Sequence, residues 1–526
     1  MRGTIVPDEP LSGLDRGRLT EPTGADVTGA QAGGVRRELL GLLGRSGTYA
    51  LSDILKQAIN FLLLPLYTAY LSTADYGALS IALAAAAVLE VVYGLGLRSA
   101  VGRLYFDQRD EARVRALVGT LAIFLAVFGA GLSVLLLVAG PALWPLLGQD
   151  GVAFSPYIVL VLLTVPLNNL GLSLVLPLYY ARGQALRYAA FSLFSFSVMT
   201  GATVLFVVGL GQGAVGALWG RWIAALIVLL PTLAILVRNA GPVFERALLR
   251  EALVFGLPLV PHLISAWALN FSDRILLGHF LPLNDVGLYA AGYQFGLLVS
   301  VIITGINNAW TPWYFRVSTG QRNVPVGRFV NYYVMLIVAL GAGTALLARE
   351  AVAIMTAPAY HAAWTIVPLV ALGYVINGLV ARFMDVLLLH KRTGVVPLTT
   401  IAAGAANIAF NLVAIPRLGI IGAAYGTIFG YAVRLGLTSF FAARTASLPF
   451  EWGRVARVLV VGLLVAVPGL LLDTGSVWLN VPLKLAVLLL YPLLLVLTGT
   501  LDAAERRAVR AGWRQARARL ARGMGR

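Results

Sequence analysis

Apolar residues run along this chain in long blocks, separated by short polar or arginine-bearing stretches. From about Tyr49 to Thr500 the blocks recur at about twenty residues, the length a helix needs to cross a hydrocarbon core. The pattern predicts helical spans near 46–71, 76–98, 117–139, 154–180, 189–210, 213–237, 252–280, 286–310, 328–348, 362–389, 395–415, 419–442, 456–472 and 481–500. In lipid every backbone amide must bond within the protein, so the blocks imply an all-α polytopic membrane protein of about 14 transmembrane helices.

Loop charge supports the count. Every second connection is rich in arginine: Arg103 to Arg115, Arg182 and Arg187, Arg238 to Arg250, Arg316 and Arg322, Lys391 and Arg392, Arg444 and Arg454. The alternate connections hold almost no cations, with Arg349 and Arg417 the exceptions. Positive loops stay in the cytoplasm. An even number of spans with both termini cytoplasmic follows.

The chain also resembles itself. Residues 71–77 (LSTADYG) match 281–287 (LPLNDVG), and Asn60 falls on Asn270 in the same frame. Residues 213–220 (GAVGALWG) match 419–426 (GIIGAAYG). The repeat unit holds six spans, and an even number returns the chain to its starting face. Two parallel, pseudo-symmetric six-helix lobes plus two extra helices are expected, a geometry suited to alternating access. The boundaries read as 1–45, a disordered cytoplasmic tail; 46–240, the N-lobe; 241–445, the C-lobe; 446–501, helices 13 and 14; and 502–526, a basic cytoplasmic tail. In that tail Val509, Trp513, Ala516 and Leu520 share one helical face amid arginines. This suits a helix lying on anionic membrane lipids.

Composition narrows the function. Only 12% of 526 residues are charged and 59% are hydrophobic, with a mean hydropathy of +0.84. A soluble domain is about a quarter charged. The net charge of +17 lies on loops where topology already requires it, so no nucleic-acid partner is implied. There are no cysteines, and the four histidines (His262, His279, His361 and His390) are far apart. No metal or cofactor is expected. No GxxxxGK[ST], HExxH or GxSxG run occurs.

The candidate chemistry is therefore the polar residues at membrane depth, which are costly unless they face a cavity or a partner. Asp53, Lys56, Gln57 and Asn60 share one face of the first span. Either they line a cavity, or Asp53 and Lys56 merely neutralise each other. Glu90 sits deep in the second span and Arg98 closes it, within reach of the cytoplasmic surface. Asn270, Asp273 and Arg274 lie in the seventh span, where an ion pair locking two helices and a substrate role both fit. In the tenth span Arg382 and Asp385 are spaced to pair. Asn168 and Asn169 follow Pro166, where they could satisfy a kink. Lys56, Gln57, Asn60, Arg98, Asn270 and Arg382 are the candidate substrate-binding residues, Asp53 and Glu90 the candidate ion-coupling groups. Asp273, Arg274 and Asp385 are the candidate structural pair or gate.

Several runs carry a family resemblance: Ser46 to Tyr49, Pro65 to Tyr67, Asp75 to Gly77, Asp273 to Gly278 and Gly287 to Tyr289. Over about 46–450 the chain resembles bacterial polysaccharide biosynthesis membrane proteins. These are the O-antigen-type oligosaccharide flippases of the multidrug/oligosaccharidyl-lipid/polysaccharide (MOP) exporter superfamily. The resemblance implies a transporter, not an enzyme, of the bacterial cytoplasmic membrane. It would flip an undecaprenyl pyrophosphate-linked oligosaccharide by alternating access, alongside a polysaccharide polymerase or glycosyltransferases. Only Asp273 and Arg274 match a family motif, in a structural role. A cation-coupled multidrug exporter is the alternative within the superfamily; a membrane-embedded polymerase or transferase is the alternative outside it.

Overall fold

A computed structural model describes residues 47–49, 51–108, 110–148, 151–320, 326–447, 450–502 and 505–507. The tail expected at 1–45 and the amphipathic face expected at 509–520 lie outside them. Helix α1 covers 51–62 and, past a turn at Leu63, Leu64–Tyr70. The interruption falls where Pro65 has no N–H for the carbonyl four residues back.

Thirteen helices among the described residues, α1 not among them, are long and apolar enough to cross a membrane. They are α2 (Thr73–Gly94), α3 (Glu111–Leu143), α4 (Phe154–Ala181), α5 (Ala185–Gly209), α6 (Gly213–Asn239), α7 (Arg246–Phe280), α8 (Leu283–Ser318), α9 (Val326–Leu346), α10 (Pro358–Leu389), α11 (Val395–Leu418), α12 (Ile420–Thr445), α13 (Trp452–Leu471) and α14 (Val477–Leu497). They follow the expected spans in order. The clearest differences are α3, which runs Glu111–Leu143 instead of 117–139, α7, which begins at Arg246 instead of 252, and α8, which runs to Ser318 instead of 310. Charged residues end an apolar block there, but a helix continues wherever its backbone bonds are kept.

Helix packing repeats with a period of six. The pairs α2–α3, α2–α4, α3–α4, α4–α6 and α5–α6 recur as α8–α9, α8–α10, α9–α10, α10–α12 and α11–α12. The repeated glycine run explains one of these. A Cβ on Gly216 or Gly220 of α6 would strike Phe206 or Ala202 of α5. A Cβ on Gly422 or Gly426 of α12 would strike Ala414 or Asn411 of α11. Both crossings are backbone-close, as small residues permit.

The lobes meet where α2 packs on α7 and α8. The capping box of Ser72 and Asp75 starts α2. One turn on, Gly77 meets its own repeat partner: a Cβ on Gly77 would lie 2.1 Å from the Leu283 carbonyl oxygen, and one on Gly287 would lie 1.8 Å from that of Thr73. Thr73 Oγ1 also donates to Asn284 Oδ1 at 2.8 Å. Further along, Trp267 Nε1 donates to the Ala84 carbonyl at 2.9 Å. Helices α13 and α14 dock on α9. Lys484 Nζ of α14 is buried 2.7 Å from Glu350 Oε1, in the short helix Ala348–Met355.

Candidate functional site

The polar face of α1 lines three hollows. The first, of about 280 Å³, lies inside the N-lobe among Lys56, Glu90 (α2), Asn168 (α4), Ser192 and Met199 (α5), and Arg221 and Thr232 (α6). The second, of about 140 Å³, lies between the lobes, among Asn60 and Tyr67, Tyr76 and Ser80 (α2), Arg221, Phe271 and Arg274 (α7), and Gln294 (α8). The third, of about 400 Å³, separates α1 and α5 from α8, and Asp53, Lys56, Gln57, Asn60, Thr304 and Asn308 line it. Lys56 is common to the first and third, Arg221 to the first and second, and Asn60 to the second and third.

Lys56 Nζ is 2.8 Å from Asp53 Oδ1 and donates to Ser192 Oγ at 2.7 Å. The pair is thus made, and it still opens on two hollows. Glu90 has no salt-bridge partner within 4 Å among the described residues. Arg221 likewise meets no carboxylate among them. One of its nitrogens sits 3.6 Å from Met199 Sδ, and its buried Nε has no partner among the described residues. A guanidinium at this depth with donors unspent is costly, and arginine's planar fork matches paired oxygens on carboxylate or phosphate. The central hollow has no acid in its lining, and its charged residues are Arg221 and Arg274.

Arg274 is anchored differently. It pairs with Asp273 at 2.8 Å and lies 4.3 Å from the Tyr293 ring centroid. Tyr289 donates to the same Asp273. Tyr293 and Tyr374 hydroxyls meet at 2.9 Å, and Tyr431 donates to Asn270 Oδ1 at 3.1 Å. Asn270 Nδ2 is spent on the Ala266 carbonyl. Asn270 and Asp273 therefore belong to a bonded network inside the C-lobe, with Arg274 at its edge on the central hollow.

Arg382 and Asp385 pair at 3.3 Å, as their spacing implies, with Arg382 between the rings of Trp310 and Tyr333 and bonded to Asn307. Both are buried in the C-lobe and line none of the three hollows. Arg98 is exposed on the short helix Leu97–Leu104 and lines none of the three hollows. Asn169 ties α4 to α2 by donating to the Glu90 carbonyl, while Asn168 faces the N-lobe hollow. No group of three or more His, Asp or Glu side chains suited to a metal occurs among the described residues.

Sequence reasoning gave Arg221, Ser192 and Gln294 no role. Arg221 had a signal: it is a lone cation well inside an apolar block. Ser192 and Gln294 had none, because their relevance comes from what packs opposite them.

Three comparisons place this geometry. The family model described as "Polysaccharide biosynthesis protein" matches residues 43–318. A Lsg locus protein of Haemophilus influenzae is 37% identical over 70 residues, which is 13% of this chain and 18% of the relative's length. Among solved structures, the lipid II flippase MurJ in an inward closed conformation aligns with a TM-score of 0.69 and 14% identity, over 84% of this chain and 97% of that one. An inward-facing multidrug resistance MATE transporter of the MOP superfamily aligns with a TM-score of 0.58 and 16% identity, over 76% and 95%. At these identities the two structures establish a shared fold.

Proposed function

The chain belongs to the polysaccharide biosynthesis protein family, and from that premise we propose that it flips a lipid-linked oligosaccharide across the bacterial cytoplasmic membrane by alternating access. The observation that carries the reading is the acid-free central hollow between the lobes, faced by Arg221 and Arg274. Two guanidiniums at that depth suit a diphosphate linkage such as that of undecaprenyl pyrophosphate. Gln57, Asn60 and Gln294 supply donors and acceptors for sugar hydroxyls. Lys56, between two hollows, can hand an anionic group from one to the other. Asp53 and Glu90 are the groups available for cation coupling.

The second reading is cation-coupled drug export. It draws on Glu90, a carboxylate without a salt bridge among the described residues that faces the N-lobe hollow. One experiment separates the two. The protein is depleted in its host and the extracted lipids are analysed by mass spectrometry. Accumulation of an undecaprenyl pyrophosphate oligosaccharide in the inner leaflet, reversed by the wild type but not by Lys56→Gln or Arg221→Gln at equal protein level, supports flipping. Unchanged lipids with new sensitivity to cationic dyes would transfer the assignment to drug export.

A further inference from the structure

The link between the lobes carries an unassigned surface. Helix α7 is 35 residues long, or about 52 Å at 1.5 Å per residue. That exceeds the hydrocarbon core by about 20 Å. Its first section, Arg246–Gly256, is set off by a 3-10 turn at Leu257–Leu259 that contains Pro258. This section lies on the arginine-rich side of the membrane, the cytoplasmic one by the loop-charge rule.

One face of the section is spent on the N-lobe. Leu248, Ala252 and Gly256 are buried there, against Leu97–Leu104 and α3. The approach is close: a Cβ on Gly96 would lie 2.4 Å from the Gly256 carbonyl oxygen. The remaining residues of α7 pack in the C-lobe on α11 and α12. The section is thus a second contact of the second lobe with the first, beside that of α2 with the rest of α7 and with α8.

The other face is a stripe at helical spacing, composed of Arg246, Leu249, Arg250, Leu253, Val254, Leu257 and Pro258. It borders a shallow, wide-open trough of about 510 Å³ lined by this section and its turn alone, at whose edge Leu249 and Leu253 also pack on the N-lobe core. Val254 is 67% exposed and Leu257 47%. Arg246 and Arg250 make no salt bridge or side-chain hydrogen bond among the described residues, so their charge is unspent. The cations lie at the outer end and the apolar residues follow inward. That order matches a lipid, with phosphate at the interface and an acyl chain below it.

We propose that this trough holds an anionic diacyl phospholipid of the cytoplasmic leaflet. Arg246 and Arg250 grip its headgroup phosphate, and one acyl chain lies along Leu253 and Leu257. Such a lipid would brace the inter-lobe link and make lobe movement sensitive to anionic lipid content. The inference does not depend on which substrate the transporter carries.

The test is native mass spectrometry of the full chain, delipidated in detergent and titrated with phosphatidylglycerol or phosphatidylcholine. The wild type should retain one phosphatidylglycerol in preference to phosphatidylcholine. Removing a cation near the membrane surface costs about a factor of five in binding, so Arg246→Gln with Arg250→Gln should weaken retention about thirty-fold. Arg246→Lys with Arg250→Lys should keep most of it, and Leu253→Trp should abolish it by filling the trough with both arginines intact. Undiminished phosphatidylglycerol retention in the double glutamine variant, or in Leu253→Trp, overturns the proposal. So does a protein dimer that Leu253→Trp dissolves, since the occupant would then be a second copy.

Discussion

Gly287 sits where the two lobes come closest, and alanine there is the smallest wedge that can be driven between them. Its Cβ would fall 1.8 Å from the Thr73 carbonyl oxygen. Ordinary contact begins at about 3.4 Å, so α2 and α8 must part by about 1.6 Å at this level. The obstacle is backbone, which cannot swing aside as a flexible side chain would. Overpacking of this kind costs about 1–3 kcal/mol, and here the cost falls on one conformation, the one with these helix ends together. A differential of that size shifts a two-state population about 5- to 150-fold. The absence of native cysteines makes the shift readable. Thr73 and Asn284, whose side-chain oxygens are 2.8 Å apart, can both be replaced by cysteine and the disulfide yield followed in membranes. Gly287→Ala in that background should slow cross-linking at least five-fold. Gly77→Ala should act alike, because its Cβ would lie 2.1 Å from the Leu283 carbonyl oxygen. Gly102→Ala, with nothing within 4 Å, is the control and should change nothing. Cross-linking at the wild-type rate in both interface variants would refute the reasoning.

Other outcomes follow from the charged groups. Lys484→Met and Glu350→Gln should each lower the detergent melting temperature sharply, since either strands a buried charge at a cost of about 3–5 kcal/mol; the double variant should recover much of the loss. Arg382→Gln, which strands Asp385, should cost stability in the same range, whereas Arg221→Gln should melt near the wild type and lose transport; the reverse ranking would reassign both residues. In the loop between α13 and α14, the Gly475 backbone N–H, then Asn480 and Arg349, hold the Asp473 carboxyl below its usual range. A lowered folded value means the contribution is fully present above the unfolded value of about 3.9 and fades only as pH falls through the folded one. The melting difference between wild type and Asp473→Asn should therefore stay flat down to about pH 4 and shrink below it; a difference that fades between pH 7 and 5 contradicts the assignment.

The spans were legible because a bilayer demands what the sequence displays, a continuous apolar block about 30 Å long. The repeat was legible for a physical reason too. Residues 71–77 and 281–287 carry the same cap and the same glycine because each builds one side of a single crossing. Local spacing also disclosed Asp53 with Lys56 and Arg382 with Asp385, since each pair sits on one turn of one helix. It could not disclose Lys484 with Glu350, which are 134 residues apart and meet only after α14 docks. Nor could it show what Arg221 meets. Its place well inside an apolar block already set it apart from Arg98 at the end of a span. The structure adds that Arg98 reaches the surface on the short helix between α2 and α3, while Arg221 ends beside Asn60 and Arg274.

A further division runs through the buried charges. In the second half of the chain, three buried cations are each matched by an acid: Arg274 by Asp273, Arg382 by Asp385 and Lys484 by Glu350. Arg434 of α12 is the exception: it donates to Asn377 Oδ1, meets no acid among the described residues, and has a buried Nε without a partner among them, as Arg221 does. Two of the three matched cations are also packed against aromatic rings. Such charges are already compensated, and replacing one partner unbalances the fold. In the N-lobe, Arg221 and Glu90 face the same hollow without a salt bridge among the described residues, and the α1 face opens on all three cavities. Unspent charge at membrane depth persists only where something else offsets its cost. On the proposed reading, a passing anionic group near Arg221 and a bound cation near Glu90 would supply that offset in turn. The pseudo-symmetric lobes thus share a packing plan but differ in charge: acid-matched buried cations gather in the second, and the N-lobe hollow brings Arg221 and Glu90 together without a salt bridge among the described residues.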